Sequence, residues 1–289
     1  MKDTPLISIV IANYNYGRFL EDAMRSIFIQ ADADGLNDEV ELIVVDGGST
    51  DNSVEIIKKY ADRISWWVSE RDRGQSDAFN KGFAKARGKY LTWLNADDVL
   101  VSGCLKRVIS QMKRHPDCQW FTGNLIRFLE SDKSLMQVEW GPNWYPGFLQ
   151  RRNSPIVSYG PTTFFGKELY ERVGRIDESC NLIMDSDLWL RFMAAGVKQR
   201  RVRCLCWAFR MHEASKTAEF DGHTGSAQGL SELALERRRS AERVGYKPSR
   251  FLRMALMGWR VLDGSLLWRL WIRLRYGKYH FDVSSGRIV

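Results

Sequence analysis

The chain has 289 residues, 44% of them hydrophobic, which predicts a globular protein with a sizeable buried core. No run approaches the roughly 18 apolar residues that a membrane-spanning helix requires, and the apolar stretch 6–12 is too short for the core of a signal peptide. We therefore expect a cytoplasmic protein. The net charge of +8 is uneven: residues 237–289 hold 13 Lys/Arg against 3 Asp/Glu, whereas residues 1–236 hold 30 against 32. This break predicts two segments with different partners.

In chain order, β-rich runs alternate with helical patterns over the first 114 residues. The predicted strands are 6–12, 40–45, 64–69 and 89–94, and the helices between and after them are 18–30, one ending at residue 60, 76–86 and 103–114. This alternation is typical of a mostly parallel sheet with helices on both faces. Further on, strands are predicted at 118–129, 134–140 and 199–210, helices at 167–173 and 185–195, and a long loop over a site at 141–159.

Residues 249–276 interleave aromatic and aliphatic side chains with six arginines, which predicts one or two basic helices interrupted near 263–264. Three interpretations stay open: helices packed on the preceding domain, a face on anionic lipid, or a nucleic-acid surface. We favour a peripheral membrane contact in addition to packing, and expect no nucleic acid, since no matching fold is evident.

The five cysteines are scattered and odd in number, and no CxxC pair is present. Cys204 and Cys206 lie two apart on a predicted strand, without a turn to bring them around a zinc ion. Reduced, buried thiols are therefore expected.

Four polar clusters, at 13–15, 46–49, 71–77 and 95–98, each follow a predicted strand directly. Ligands of an open parallel α/β sheet bind outside the carboxyl ends of its strands, so four clusters at these ends predict a site. Adjacent carboxylates at Asp97 and Asp98 repel each other unless a cation or hydrogen bonds neutralise them. Hard oxygen ligands suit Mg²⁺ or Mn²⁺ bridging to a diphosphate, and the alternative is a helix cap. Asp46 either caps the turn that follows it or accepts hydrogen bonds from a nucleobase or ribose.

Asp185 and Asp187 lie at the start of a predicted amphipathic helix, where negative charge is favourable in itself. The functional alternative is a general base for an acceptor hydroxyl. His212 is one of four histidines and is either structural or a ligand.

Six ordered segments within roughly residues 5–217 resemble family 2 of the inverting nucleotide-sugar glycosyltransferases, which have the GT-A fold. The segments are 7–18 (ISIVIANYNYGR), 42–53 (LIVVDGGSTDNS), 67–82 (WVSERDRGQSDAFNKG), 90–98 (YLTWLNADD), 184–191 (MDSDLWLR) and 209–217 (FRMHEASKT). The resemblance implies a Rossmann-like, mostly parallel α/β sheet flanked by helices. We expect a GT-A domain at 1–220 and a basic, aromatic-rich helical extension at 221–289.

The resemblance also implies residue roles. Asp46 would bind the donor base in a pocket lined by Asn13 and Asn15. Asp97 would be the last acid of the family's DxD metal motif, supported by Asp98, and both would hold Mn²⁺ or Mg²⁺. Asn95 replaces the first acid, which puts a ribose or metal role there in doubt. The other residues expected to line the nucleotide-sugar site are Gly47, Arg73, Gln75 and Asp77.

On the acceptor side, Asp185 would be the general base, with Asp187 as its rival, and His212 would supply a further metal ligand. The implied activity is transfer of a single sugar, with inversion, from a UDP-, GDP- or dTDP-sugar to a glycan or lipid-linked acceptor. Cell-envelope, exopolysaccharide or lipopolysaccharide synthesis, at the inner face of the plasma membrane, is the expected setting.

The chain lacks the QxxRW block and the membrane spans of the processive members of this family. Two alternatives are a sugar-phosphate nucleotidyltransferase, which would need a Gly-rich basic loop after the first strand, and a non-catalytic sugar-nucleotide-binding protein.

Overall fold

The computed structural model describes residues 4–139, 160–180, 182–213, 215, 227–247, 249–262, 267 and 279–289. Its centre is a nine-stranded sheet. Four parallel strands form one half in the order β3-β2-β1-β4: β1 (Ile7–Asn13), β2 (Val40–Asp46), β3 (Trp66–Ser69) and β4 (Tyr90–Asn95). In register, Asn13 lies beside Asp46 and Ala12 beside Asn95, so these strands end at one level. The mostly parallel α/β fold expected from the sequence is confirmed in this half.

The crossover helices cover both faces of this half-sheet. They are α1 (Gly17–Asp34), α2 (Ser53–Lys59) and α3 (Gln75–Lys85), and α4 (Cys104–Arg114) follows β4. The apolar faces of α1 and α4 form one core with β1 and β2, and α3 forms a second core on the opposite face. Gly82 of α3 is needed there because an added Cβ would lie 2.3 Å from the side chain of Val10.

The other half of the sheet is mixed. It contains β5 (Val99–Leu100), β6 (Trp120–Leu129), β7 (Leu135–Glu139), β8 (Thr163–Gly166) and β9 (Arg200–Met211) in the order β4-β8-β6-β9-β5, with β7 paired to β6. The helices are α5 (Lys167–Arg172) and α6 (Met184–Ala194). Trp189 of α6 stacks between Trp93 of β4 and Trp120 of β6, at ring separations of 5.6 and 6.0 Å, which fixes α6 on the sheet.

The C-terminal segment contains α7 (Ala227–Arg243), α8 (Arg250–Leu262) and a hairpin of β10 (Phe281–Asp282) and β11 (Arg287–Ile288). The sequence does not predict this hairpin, whose Phe281 packs 4.9 Å from the ring of Phe128. The predicted loop 141–159, the boundary at 220/221 and most of the predicted helix beyond 263 lie outside the described residues. Among the helices that are described, none is long and apolar enough to cross a membrane.

Candidate active site

Asp46, at the end of β2, is fully buried and accepts hydrogen bonds from three neighbouring segments. Asn13 Nδ2 donates to it at 2.6 Å from β1, Ser69 Oγ at 2.6 Å from β3, and the Ser49 amide at 3.0 Å from the following turn. Burial alone would raise the pKa of Asp46, but the hydrogen bonds from Ser49, Ser69 and Asn13 outweigh it and lower that pKa. Asp46 is therefore a carboxylate that joins the ends of three parallel strands.

The turns after β1 and β2 are tied to each other. The Asn15 amide donates to Ser49 Oγ at 2.8 Å, and the Thr50 amide donates to Asn15 Oδ1 at 2.8 Å. Asn15 adopts φ 56°, a left-handed conformation that asparagine tolerates better than most residues. Its side chain thus holds the rim of the site in shape.

Two residues expected at the donor site, Arg73 and Asp77, pair with each other at 3.0 Å. Arg73 is exposed and also contacts Glu178 at 2.8 Å, while Asp77 is buried and accepts from the Arg73 amide at 3.0 Å. Burial opposes ionisation, but these bonds and the charge of Lys81 lower the pKa of Asp77. Asp77 therefore shapes the loop before α3.

Asp72, which the sequence analysis left out of the expected donor residues, faces the cleft at the start of the same loop. The Gly74 amide donates to its carboxylate at 2.9 Å, and an added Cβ at Gly47 would lie 2.6 Å from Asp72 Oδ2. The absence of a side chain at Gly47 thus leaves room for the Asp72 carboxylate.

The two adjacent acids after β4 point in different directions. Asp98 is fully buried and accepts from the Arg210 amide at 2.9 Å and from Asn95 Nδ2 at 2.8 Å. Burial and the charge of Asp97 raise the pKa of Asp98 well above its ordinary value. Gln75 Nε2 donates to Asn95 Oδ1 at 3.0 Å. This geometry favours a supporting role for Asp98 over the direct metal coordination expected of it.

Asp97, in contrast, lines the cleft and lies against the end of β9. His212 Nε2 is 3.0 Å from Asp97 Oδ2, and the imidazole packs 4.8 Å from the ring of Phe19 and 5.7 Å from that of Tyr16. Within the described part of the chain, His212 Nδ1 is buried without a hydrogen-bond partner. A carboxylate oxygen and an imidazole nitrogen at one point of a cleft form a donor set that fits a divalent cation.

Arg210 is a buried residue of the site that is not among those expected from the sequence. Its guanidinium donates to the Asp97 carbonyl at 2.7 Å, to Asp22 of α1 at 3.0 Å and to Glu130 at the end of β6, and it lies 4.6 Å from the Phe19 ring. Arg210 therefore fixes the turn that carries Asp97 to three other elements. A single arginine on a predicted strand gives no sequence signal for this role.

Of the two acids of α6, as of the two after β4, one is fully buried and the other is more accessible. Asp187 is fully buried, and its oxygens accept from Arg191 Nε at 2.8 Å and from Ser240 Oγ of α7 at 2.6 Å. Asp185 is partly buried and accepts from the Ser186 amide. Desolvation raises the pKa of Asp185, although hydrogen bonds from Ser186 and Gly160 act in the opposite direction. Asp187 thus anchors α7, and Asp185 carries a carboxyl whose pKa lies above that of an ordinary aspartate.

A cleft of about 260 Å³ lies outside the carboxyl ends of β1 and β4. Four of the expected residues line it: Asn13, Gln75, Asn95 and Asp97. Asp72, Tyr14, Tyr16 and Ser215 add further polar groups. A larger cleft of about 950 Å³ lies beside the first residues of β9, at the other end of that strand from His212, and is rich in basic side chains. The smaller cleft contains the converging carboxylate and amide groups, with His212 in contact with its Asp97, and is the candidate active site.

The fold is that of the GT-A glycosyltransferases. S. aureus TarS, residues 1–349, solved with UDP-GlcNAc, superposes with a TM-score of 0.61 at 14% identity, over 93% of this chain and 78% of that protein. The mannosyltransferase PcManGT of Pyrobaculum calidifontis, solved with GDP-Man and Mn²⁺, gives 0.56 at 16% identity, over 98% and 86%.

Residues 8–174 match the family described as Glycosyl transferase family 2, and the chain belongs to that family. A glycosyltransferase of Nostoc sp. is 38% identical over 106 residues, which are 36% of this chain and 31% of the relative. One of Rickettsia prowazekii is 29% identical over 195 residues, which are 65% and 59%. The Streptococcus pneumoniae glycosyltransferase GlyG is 32% identical over 130 residues, which are 44% and 41%. The chain therefore spans from about a third to three fifths of the length of these relatives.

Proposed function

We propose that the chain is a metal-dependent, inverting glycosyltransferase that transfers one sugar from a nucleotide-diphosphate sugar to an acceptor hydroxyl. The observation that carries this proposal is the Asp97–His212 pair, 3.0 Å apart, at the edge of a cleft lined by Asn13, Gln75 and Asn95. Family membership supports the activity. The complexes of TarS with UDP-GlcNAc and of the mannosyltransferase with GDP-Man and Mn²⁺ support a UDP-, GDP- or related dTDP-sugar as donor.

In this proposal the nucleotide lies near Asn13 and Asp72 and the diphosphate near Asp97. Within the described residues, the buried Asn13 Oδ1 has no hydrogen-bond partner, which is costly unless a ligand donor satisfies it. Asp97 and His212 would hold Mn²⁺ or Mg²⁺, whose charge would neutralise the leaving diphosphate. Asp98 and Arg210 hold the Asp97 turn in place from the protein side.

We assign the general base to Asp185 and a structural role to Asp187. Asp187 already accepts from Arg191 and Ser240, so its charge is committed to the packing of α7. Asp185 has a raised pKa, which brings a carboxyl closer to the basicity that general-base catalysis needs. Asp185 would take the proton of the acceptor hydroxyl, whose oxygen attacks the anomeric carbon from the face opposite the diphosphate. Direct displacement inverts that carbon.

The test uses the purified chain with a panel of UDP-, GDP- and dTDP-sugars, with Mn²⁺, Mg²⁺ or EDTA, and measures release of nucleoside diphosphate. Metal-dependent release from one donor, lost in Asp97→Ala, is the expected result. A nucleotidyltransferase would instead consume a nucleoside triphosphate and a sugar phosphate and release pyrophosphate. Absence of metal-dependent nucleotide binding would leave only a non-catalytic role.

We further propose that the acceptor is a glycan or lipid-linked envelope precursor reached at a membrane surface. Helix α8 is apolar on two opposite faces: Leu252 and Leu256 are buried, whereas Phe251, Met254 and Met257 are 74, 73 and 66% exposed. A large exposed apolar face of a helix normally marks a surface that another partner covers. Exposed arginines at 250 and 253 lie along the exposed face, and they fit an anionic lipid surface.

Flotation with phosphatidylglycerol vesicles, compared with phosphatidylcholine vesicles, tests this contact. We expect the chain to float only with the anionic vesicles, and Met254→Ser combined with Met257→Ser to remain at the bottom. Met136→Ser on β7, which is 54% exposed, is the matched control and should float like the unaltered chain. Equal flotation of both variants would contradict the assignment to α8.

A further inference from the structure

Two neighbouring thiols of β9 and a third from about a hundred residues earlier lie together in the core. The sulfur atoms of Cys104, Cys204 and Cys206 are all within 4.8 Å of one another, and all three residues are buried. The Sγ atoms of Cys204 and Cys206 are 3.3 Å apart. The sequence predicts no thiolate site at Cys204 and Cys206, because a strand offers no turn around an ion. The third thiol instead comes from the first residue of α4.

The backbone is irregular where it presents this cluster. Thr122 of β6 pairs with Arg201 of β9, but the next paired residue, Asn124, lies opposite Leu205. Three residues of β9, the last of them Cys204, therefore face one residue of β6. Such bulges re-aim side chains. Asn124 Nδ2 holds the irregular segment by donating to the Cys204 carbonyl at 3.0 Å.

Gly123 of β6 provides the space that one of the sulfur atoms occupies. An added Cβ at this position would lie 2.2 Å from Cys206 Sγ and 3.2 Å from the Cys204 carbonyl. Any side chain at residue 123 would therefore push the Cys206 thiol out of the cluster. A glycine and a bulge at the same point both serve the approach of the three thiols.

We propose that Cys104, Cys204 and Cys206 form a binding site for a thiophilic d¹⁰ cation, Zn²⁺ or Cu⁺, separate from the active site. A Zn–S bond of about 2.3 Å places sulfur ligands about 3.8 Å apart, which lies between the 3.3 Å of the Cys204–Cys206 pair and the 4.8 Å limit of the group. Thiolates select these two soft ions over Mg²⁺ and Mn²⁺. The two sites would therefore not compete for one metal.

Ion binding breaks three S–H bonds, releases three protons to solvent and forms three sulfur–metal bonds. Three thiolates carry more negative charge than either ion compensates. The positive charges of Arg107 and Arg201 act on the Cys204 sulfur from neighbouring positions. Both arginines line the basic cleft beside the start of β9, and they supply the remaining positive charge.

The test uses the full chain purified under reducing conditions and freed of metal by a chelator. Co²⁺ is added as the optical probe for Zn²⁺, and bicinchoninate competition measures Cu⁺. We expect one equivalent of at least one ion to bind, seen as an ultraviolet thiolate-to-cobalt charge-transfer band that Zn²⁺ abolishes or as Cu⁺ withdrawn from bicinchoninate. Binding of neither ion to the folded chain overturns the proposal.

Variants then locate the ion. Cys104→Ser and Cys206→Ser should lose the signal, whereas Cys118→Ser, which alters a half-buried thiol outside the cluster, should keep it. Far-ultraviolet circular dichroism establishes that each variant is folded. A signal retained in both cluster variants, or lost in Cys118→Ser, would also overturn the proposal. Donor turnover with Mn²⁺ should be unchanged by the ion, which separates this outcome from the proposed activity.

Discussion

His212 Nε2 lies 3.0 Å from the Asp97 carboxylate, although 115 residues separate the two in the chain. The contact forms because β5 pairs antiparallel with β9, which brings the turn after β4 against the last residues of β9. The donor atoms of the proposed cation site therefore come from the two halves of the sheet. Neither half alone provides both ligands.

Loss of either ligand should weaken metal-dependent nucleotide binding at least about tenfold, the order of effect seen when metal sites lose supporting groups. The variants are Asp97→Ala and His212→Ala, and titration calorimetry with UDP or GDP in the presence of Mn²⁺ measures the affinity. His280→Ala, on the exposed C-terminal segment, is the control and should bind like the unaltered chain. Unchanged affinity in both site variants would remove these residues from the proposed cation site.

Asp185→Asn should impair catalysis, whereas Asp187→Asn should impair stability. Asp185→Asn should lower kcat by about 10²–10⁴-fold, the usual contribution of a general base. Asp187→Asn should cost about 3–5 kcal/mol in the free energy of unfolding, because it leaves the nearly buried Arg191 without its anion. Steady-state kinetics and urea unfolding of both variants measure the two quantities. A stable, inactive Asp187→Asn would exchange the two assignments.

The raised pKa of Asp185 predicts a pH effect on stability as well. Because its pKa is higher in the folded than in the unfolded chain, ionisation of Asp185 reduces stability as pH rises above the unfolded carboxyl pKa, and the reduction is complete above the folded pKa. Asp185→Asn lacks this loss and should melt at the same or a higher temperature at neutral pH. Differential scanning calorimetry of the variant and the unaltered chain at pH 4 and pH 7 measures this difference. A melting temperature of Asp185→Asn below that of the unaltered chain at pH 7 would contradict the conclusion that desolvation raises the pKa of Asp185.

The same raised pKa sets the acid side of the activity profile. A base must be deprotonated to act, so kcat/KM should fall as pH decreases through the pKa of Asp185, and this fall should occur above the ordinary aspartate range. Rates measured from pH 4 to pH 8 with the donor found in the panel give the profile. A rate that is flat down to the ordinary range would argue against Asp185 as the base.

Arg210→Met should destabilise the chain and weaken cation binding together. The substitution removes the donor to the Asp97 carbonyl and one partner each of Asp22 and Glu130, and leaving a buried polar group without its partner costs about 1–3 kcal/mol. Arg203→Met on the same strand is the exposed control and should change the unfolding free energy by less than about 0.5 kcal/mol. Chemical unfolding and Mn²⁺ titration measure both effects. Equal stability of the two variants would contradict the structural role of Arg210.

The half-sheet of β1 to β4 follows directly from the sequence, because hydrophobic strands alternate with amphipathic helices there. Parallel pairing then places the strand ends side by side, and the expected proximity of Asn13 and Asp46 is observed at 2.6 Å. Which acid of each pair faces the cleft does not follow. Adjacent acids after a strand carry no local signal that separates them, and contacts from a distant strand, made by Arg210 and His212, distinguish Asp97 from Asp98.

The contacts of the mixed half of the sheet do not follow from the sequence either, because they join residues that are far apart in the chain. Ser240 contacts Asp187 at 2.6 Å across 53 residues, and the third thiol of the cysteine cluster is about a hundred residues from the other two. Contacts of this kind depend on how the elements pack and carry no local pattern. The C-terminal hairpin is similar, since two strands of two residues each are too short to show an alternation.

Because β1 to β4 are contiguous in the chain, all four are synthesised before the strands of the mixed half of the sheet. Every strand that contributes to the Asp46 hydrogen bonds is complete by Ser69, and β4 ends at Asn95. His212 emerges from the ribosome only after β6, β8 and β9 have been made. Asp97 and His212 can therefore meet only after the mixed half of the sheet has been made.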